Sequence, residues 1–142
     1  MRALRLPALV LVAATVLSAC ASTPDVTALA GRYQLRSVSG RAVPVDALGG
    51  ALGGEVQLGA DGRAIRVVRY ATSGIPGPIE VRGTGTYRVR GSQITLALDD
   101  VRPRARPSRW QVSGEVKPPL LVLRYPGPAG GIVEERYFRM TP

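Results

Sequence analysis

Histidine is absent from the 142 residues, cysteine occurs once (Cys20) and lysine once (Lys117). Without histidine, Ser-His-Asp and Cys-His nucleophilic arrangements cannot be assembled, and a zinc site of His and Cys lacks ligands. A lone cysteine excludes an internal disulfide, so the fold must be held by its core. A Ser-Lys pair would have to use Lys117, which precedes Pro118-Pro119 with no recognisable serine motif nearby. Only chemistry by carboxylates alone is left, and the chain reads as a non-enzyme. Acidic residues number 10 against 19 basic, giving a net charge of +9 at pH 7. Nearly all of that charge is arginine, and with abundant Ala, Gly, Val and Pro it fits a GC-rich coding sequence. A basic balance favours weak attraction to acidic polymers and anionic lipid without choosing between them.

What is present begins at the N-terminus. Arg2 and Arg5 precede a compact apolar run, Ala8 to Leu17, which ends in Leu17-Ser18-Ala19-Cys20. The run is shorter than the roughly 20 apolar residues that span a bilayer, so it reads as a signal peptide. Its last four residues resemble the lipobox of bacterial lipoproteins. The resemblance implies cleavage before Cys20, a thioether-linked diacylglycerol on its sulfur and an acyl chain such as palmitate on its amine. At about 0.8 kcal/mol per buried methylene, two or three chains anchor a protein firmly. No cofactor is implied beyond this covalent lipid. Removing Arg2 and Arg5 with the 19-residue leader lowers the charge from +9 to +7 and leaves 123 of 142 residues. Ala21 stands where an aspartate would favour inner-membrane retention, which points to the outer membrane, facing the periplasm, in a diderm host. The expected organisation is a leader over 1–19, the lipidated Cys20 and a polar tether over 20–30, and a β domain over 31–142. Ten tether residues reach at most about 35 Å.

From Gly31 onward turns and strands alternate. Tyr33, Leu35 and Ser37 share one face of a first strand, and Ser39-Gly40 marks a turn. Ala42 to Val45 reads either as a short strand or as an extended loop. Gly49-Gly50 and Gly53-Gly54 suggest a flexible connection around Leu52. Glu55 to Leu58 and Arg63 to Ala71 flank an Asp61-Gly62 hairpin turn. Pro76 and Pro78 place a loop over 72–79. Val81, Gly83, Gly85, Tyr87 and Val89 fall on one face of a half-buried antiparallel strand. Gly91-Ser92 turns the chain into Ile94, Leu96 and Leu98. Trp110, Val112, Gly114 and Val116 repeat the alternation, as do Leu121, Leu123 and Tyr125. The last strand, Ile132 to Met140, has two settings: Ile132, Phe138 and Met140 inward, or Val133 and Tyr137 inward. Each turns one Glu and one Arg into the core, so charge burial does not choose. Eight or nine strands without a helical period predict an all-β sandwich or barrel, and a barrel removes exposed edges.

Three stretches resemble small lipocalin-like domains of bacterial lipoproteins: Gly31-Arg32-Tyr33-Gln34-Leu35 leading to Ser39-Gly40 and Pro44, Gly85 to Ile94, and Arg136-Tyr137-Phe138-Arg139. The resemblance implies a closed antiparallel barrel of eight or nine strands, with Tyr33 in place of the family's tryptophan and Arg136 or Arg139 over its ring as a cation–π contact.

Four features carry candidate chemistry. Asp99-Asp100 suits Ca²⁺ or a shared proton, although acidic residues at a strand end are more often solvated. Of Glu134-Glu135, one side chain points into a barrel and is a candidate ligand anchor. Gly83-x-Gly85 fails as a dinucleotide fingerprint, lacking the third glycine and a following helix, and reads as an aid to strand curvature. The run Arg102-Pro103-Arg104-Ala105-Arg106-Pro107-Ser108-Arg109 presents Arg102, Arg104, Arg106 and Arg109 as an anion-binding loop for an acidic envelope component. No aromatics interleave with these arginines, which speaks against nucleic acid. The expectations are therefore a monomeric, lipid-anchored envelope protein acting in interaction or structure, or else a carrier of a small apolar ligand inside the barrel.

Overall fold

The computed structural model describes residues 25–44, 50–101, 108–127 and 130–141. After one helical turn, α1 (Val26–Leu29), come β1 (Gly31–Val38), β2 (Arg41–Ala42), β3 (Ala51–Leu58), β4 (Arg63–Tyr70), β5 (Ile79–Arg90), β6 (Gln93–Val101), β7 (Ser108–Lys117), β8 (Leu120–Pro126) and β9 (Ile132–Arg139). From β3 to β9 each strand pairs antiparallel with the next, and β1 pairs with both β3 and β9. The result is a closed eight-stranded meander barrel with β2 as one extra strand, consistent with the lipocalin-like barrel expected. Closure leaves none of the eight with an unpaired long edge.

The period-two alternation translates directly into burial. Tyr87 and Val89 of β5, Ile94, Leu96 and Leu98 of β6, Val112 and Val116 of β7, and Leu121 and Leu123 of β8 all lie in the core. Gly62, at φ +79°, closes the β3–β4 hairpin while Asp61 Oδ1 accepts from the Arg63 amide at 3.1 Å. The last strand takes its second setting, with Glu135 and Tyr137 fully buried and Phe138 exposed.

Two segments differ from their sequence reading. Gly53-Gly54 is not a linker but part of β3, where the register to β4 shifts between Ala51 and Gly53. A Cβ on Gly54 would stand 2.7 Å from the Val67 carbonyl oxygen, so glycine here serves close strand approach. The tether is not wholly extended either: Asp25 caps α1 by accepting from the Thr27 amide at 3.0 Å, and Leu29 is buried. Four residues are too few to display a helical period. The Ala42–Val45 ambiguity resolves into β2 at Arg41–Ala42, with Val45 outside the described residues.

The helical turn closes one end of the barrel. The Tyr33 hydroxyl donates to the Leu29 carbonyl at 2.9 Å, and the Tyr87 hydroxyl to the Gly59 carbonyl at 2.8 Å. Arg139 donates to the carbonyls of Ala28 at 2.9 Å and Ala30 at 2.5 Å. Its Nε lies 2.9 Å from where a Gly31 Cβ would sit, so Gly31 makes room for the guanidinium. The expected arginine over Tyr33 is thus a carbonyl-capping arginine on Gly31; the cation–π contacts among the described residues belong to Arg66.

Candidate functional site

At the opposite end the described residues leave the barrel open. Tyr33, Leu96, Leu121, Leu123 and Tyr137 pack the closed half solidly. In the other half, smaller inward residues (Ala51, Val81) leave a cup of about 1300 Å³. Ile79, Val81, Trp110 and Val133 wall it. That exceeds the roughly 300–1,000 Å³ of ordinary ligand pockets. The interior is therefore neither fully packed nor fully hollow.

The cup's floor is a polar network spanning the barrel. Arg66 projects from β4 and Glu135 from β9, and each is almost completely buried, at 2% and 0% exposure. Arg66 Nε donates to Glu135 Oε2 at 3.0 Å and Nη2 donates to Oε1, a side-on bidentate pair. Tyr125 donates to Glu135 Oε1 and Tyr137 to Oε2, both at 2.6 Å. Glu135 thus accepts four hydrogen bonds, which fills a carboxylate's lone-pair directions. Arg66 Nη2 also reaches the hydroxyls of Tyr70 at 3.5 Å and Tyr125 at 3.4 Å. The guanidinium carbon lies 5.3 Å from the Trp110 ring centre and 5.6 Å from that of Tyr125. The two rings meet edge to face at 5.4 Å and 82°.

Electrostatics follows from this geometry. Burial works against the Arg66 charge, but the oxygens of Tyr137 and Glu135 outweigh it and hold the guanidinium charged. Burial first, and then the Glu135 charge, push the Tyr125 and Tyr137 hydroxyls above the ordinary tyrosine range. Both phenols stay neutral donors to the carboxylate.

The sequence-derived candidates separate. Of Glu134-Glu135, Glu135 turns inward, while Glu134 faces out and accepts from Arg124 at 2.8 Å and Arg136 at 2.7 Å. Asp99-Asp100 splits likewise: Asp99 is exposed, but Asp100 is buried at 2% and lines the cup rather than sitting in a solvated turn. Alternation along β6 explains this, since Asp100 continues the Leu96, Leu98 face. Arg109 points outward and pairs with Asp99 at 3.0 Å. Arg102, Arg104 and Arg106 lie outside the described residues, as does Cys20. Gly85 and Gly114 leave no room for a ligand, because a Cβ on either would run into a neighbouring strand's carbonyl, that of Ala97 or Val122.

Arg66 and Tyr70 were not singled out from the sequence. Strand β4 carries Ala64, Arg66, Val68 and Tyr70 on one face, and Ile65 and Val67 on the other. With apolar residues on both sides, alternation does not choose the inner one. A signal was nonetheless available: an inward Glu135 needs a cation, and Arg66 shares a face with Tyr70. No family model, curated protein or solved structure matches this chain.

Proposed function

We propose that the chain is a lipid-anchored protein of the cell envelope whose barrel is a non-catalytic binding module, holding one small apolar or amphipathic molecule in its open half. The observation that carries this reading is the cup of about 1300 Å³ above a paired ionic floor. Apolar walls with a few oriented polar groups are what a small-molecule site requires. The saturation of Glu135 by four donors argues against its use as a general base. The surface reading of the arginine run has less behind it, since Arg109 is already engaged by Asp99.

The proposed anchor gives the cup a direction. Cys20 precedes Asp25 by five residues, which reach at most about 18 Å, and α1 sits on the closed end. The closed end then faces the membrane and the mouth opens away from it, so the occupant arrives from the aqueous side.

Trp110 is the single tryptophan and stands in the cup wall, so its emission reports occupancy. Titrating the protein with the neutral probe N-phenyl-1-naphthylamine should give saturable energy transfer from Trp110 with one probe per chain. Val81→Phe with Val133→Phe, which narrow the cup, should weaken it severalfold. Unsaturable transfer, or transfer that the narrowed cup leaves unchanged, refutes the reading.

A further inference from the structure

The floor of the cup also specifies what kind of polar group its occupant carries. Arg66 spends Nε and Nη2 on Glu135 and the tyrosines, while Nη1 makes no hydrogen bond among the described residues. Tyr70, at the side of the cup, accepts from Arg66 at 3.5 Å and donates to nothing among the described residues. Two unspent donors therefore belong to adjacent groups at the floor of an otherwise mostly apolar space. A ligand oxygen accepting from them would be received without any rearrangement of the floor.

The charge state of that oxygen follows from the pair beneath it. The Arg66 charge is already matched by Glu135, through two hydrogen bonds between side chains only 3% and 1% exposed. A carboxylate arriving at Nη1 would lose its hydration against a guanidinium that Glu135 already matches, and it would lie near the Glu135 anion; the other cation lining the cup among the described residues, Arg41, is exposed on β2. Taking an ion out of water without a dedicated counter-ion is strongly unfavourable, whereas a neutral carbonyl or hydroxyl gives up far less hydration.

From these observations we infer that the cup selects an apolar molecule bearing a neutral oxygen acceptor, such as an ester carbonyl or an alcohol, over the corresponding free acid. The oxygen accepts from Arg66 Nη1 and the Tyr70 hydroxyl. This inference rests on the cup being a binding site, and the test below separates the two.

The test is displacement of N-phenyl-1-naphthylamine by three ten-carbon compounds at about neutral pH: 1-decanol, methyl decanoate and decanoate. The alcohol and the ester should displace the probe at concentrations at least about tenfold lower than decanoate, the desolvation penalty of an unmatched ion setting the direction. Tyr70→Phe should weaken displacement by the alcohol and the ester about three- to tenfold relative to the probe affinity measured for the same variant, as expected for one hydrogen bond. Decanoate displacing as well as the neutral pair overturns the inference and leaves the cup standing. So does a failure of all three against a bound probe, or indifference to Tyr70→Phe. Failure of the probe itself to bind overturns both readings.

Discussion

Replacing Arg66 by Met tests whether the ionic floor ties the barrel together. The pair joins β4 to β9 across the interior, and its side chains are 3% and 1% exposed. Removing one partner of such a pair strands the other charge, at about 3–5 kcal/mol. Loss of the guanidinium from the faces of Trp110 and Tyr125 adds about 0.5–2 kcal/mol. Arg66→Met should therefore lower stability by at least about 3 kcal/mol, or by about 10 °C or more in Tm for a domain of this size. Adding Glu135→Leu removes the stranded charge but takes the acceptor from the Tyr137 hydroxyl, which is wholly buried, at about 1–3 kcal/mol. The double variant should thus recover only part of the loss. Adding Tyr125→Phe and Tyr137→Phe removes the orphaned hydroxyls and should return stability to within about 1 kcal/mol of the parent, since apolar replacement of a buried ion pair is often neutral or better. Urea melts with unchanged slopes measure the series. If Arg66→Met costs less than about 1 kcal/mol, or the double variant is as unstable as the single, the floor is not the coupled unit described.

Three further outcomes follow from other parts of the structure. Burial and the Glu135 charge hold the Tyr125 and Tyr137 protons above the ordinary value of 10.0, so the unfolded chain releases them first as pH rises. Their contribution is whole below about pH 10 and declines above it by about 1.4 kcal/mol per pH unit for each tyrosine, so the urea midpoint should fall steeply beyond that pH; a flat midpoint contradicts the placement. Gly114→Ala drives a Cβ into the Val122 carbonyl and should cost about 3 kcal/mol or more, whereas at Gly53 the nearest atom is an Arg69 nitrogen at 3.5 Å, and alanine there should change the melting curve by less than about 1 kcal/mol. Cys20→Ser should move the protein from the membrane to the soluble fraction on cell fractionation, and retention in the membrane would remove the proposed lipid anchor.

How far the sequence discloses the molecule depends on which faces of its strands differ. On β5, arginines and threonines on one side and Val, Gly and Tyr on the other leave a single arrangement, and the structure has it. On β9 each face carries one Glu and one Arg, so the choice rests on partners in other strands: Glu135 goes inward because Arg66, Tyr125 and Tyr137 are there to satisfy it. That information is non-local, held 69 residues away at Arg66. The Asp99-Asp100 pair shows the opposite limit, where a general preference of acids for solvent yields to the parity of the strand they extend. The cup itself is the least legible feature. It arises from the relative sizes of inward residues in several strands, and Ala51 belongs to a stretch whose glycines read as a linker.

Whether the open half of the barrel holds a molecule can be read by native mass spectrometry of the protein isolated from its own cells and released gently from detergent. Expected is a noncovalent adduct, one per lipidated chain, that denaturation removes and that Val81→Phe with Val133→Phe makes scarcer. The bare lipidated mass for both proteins would contradict it.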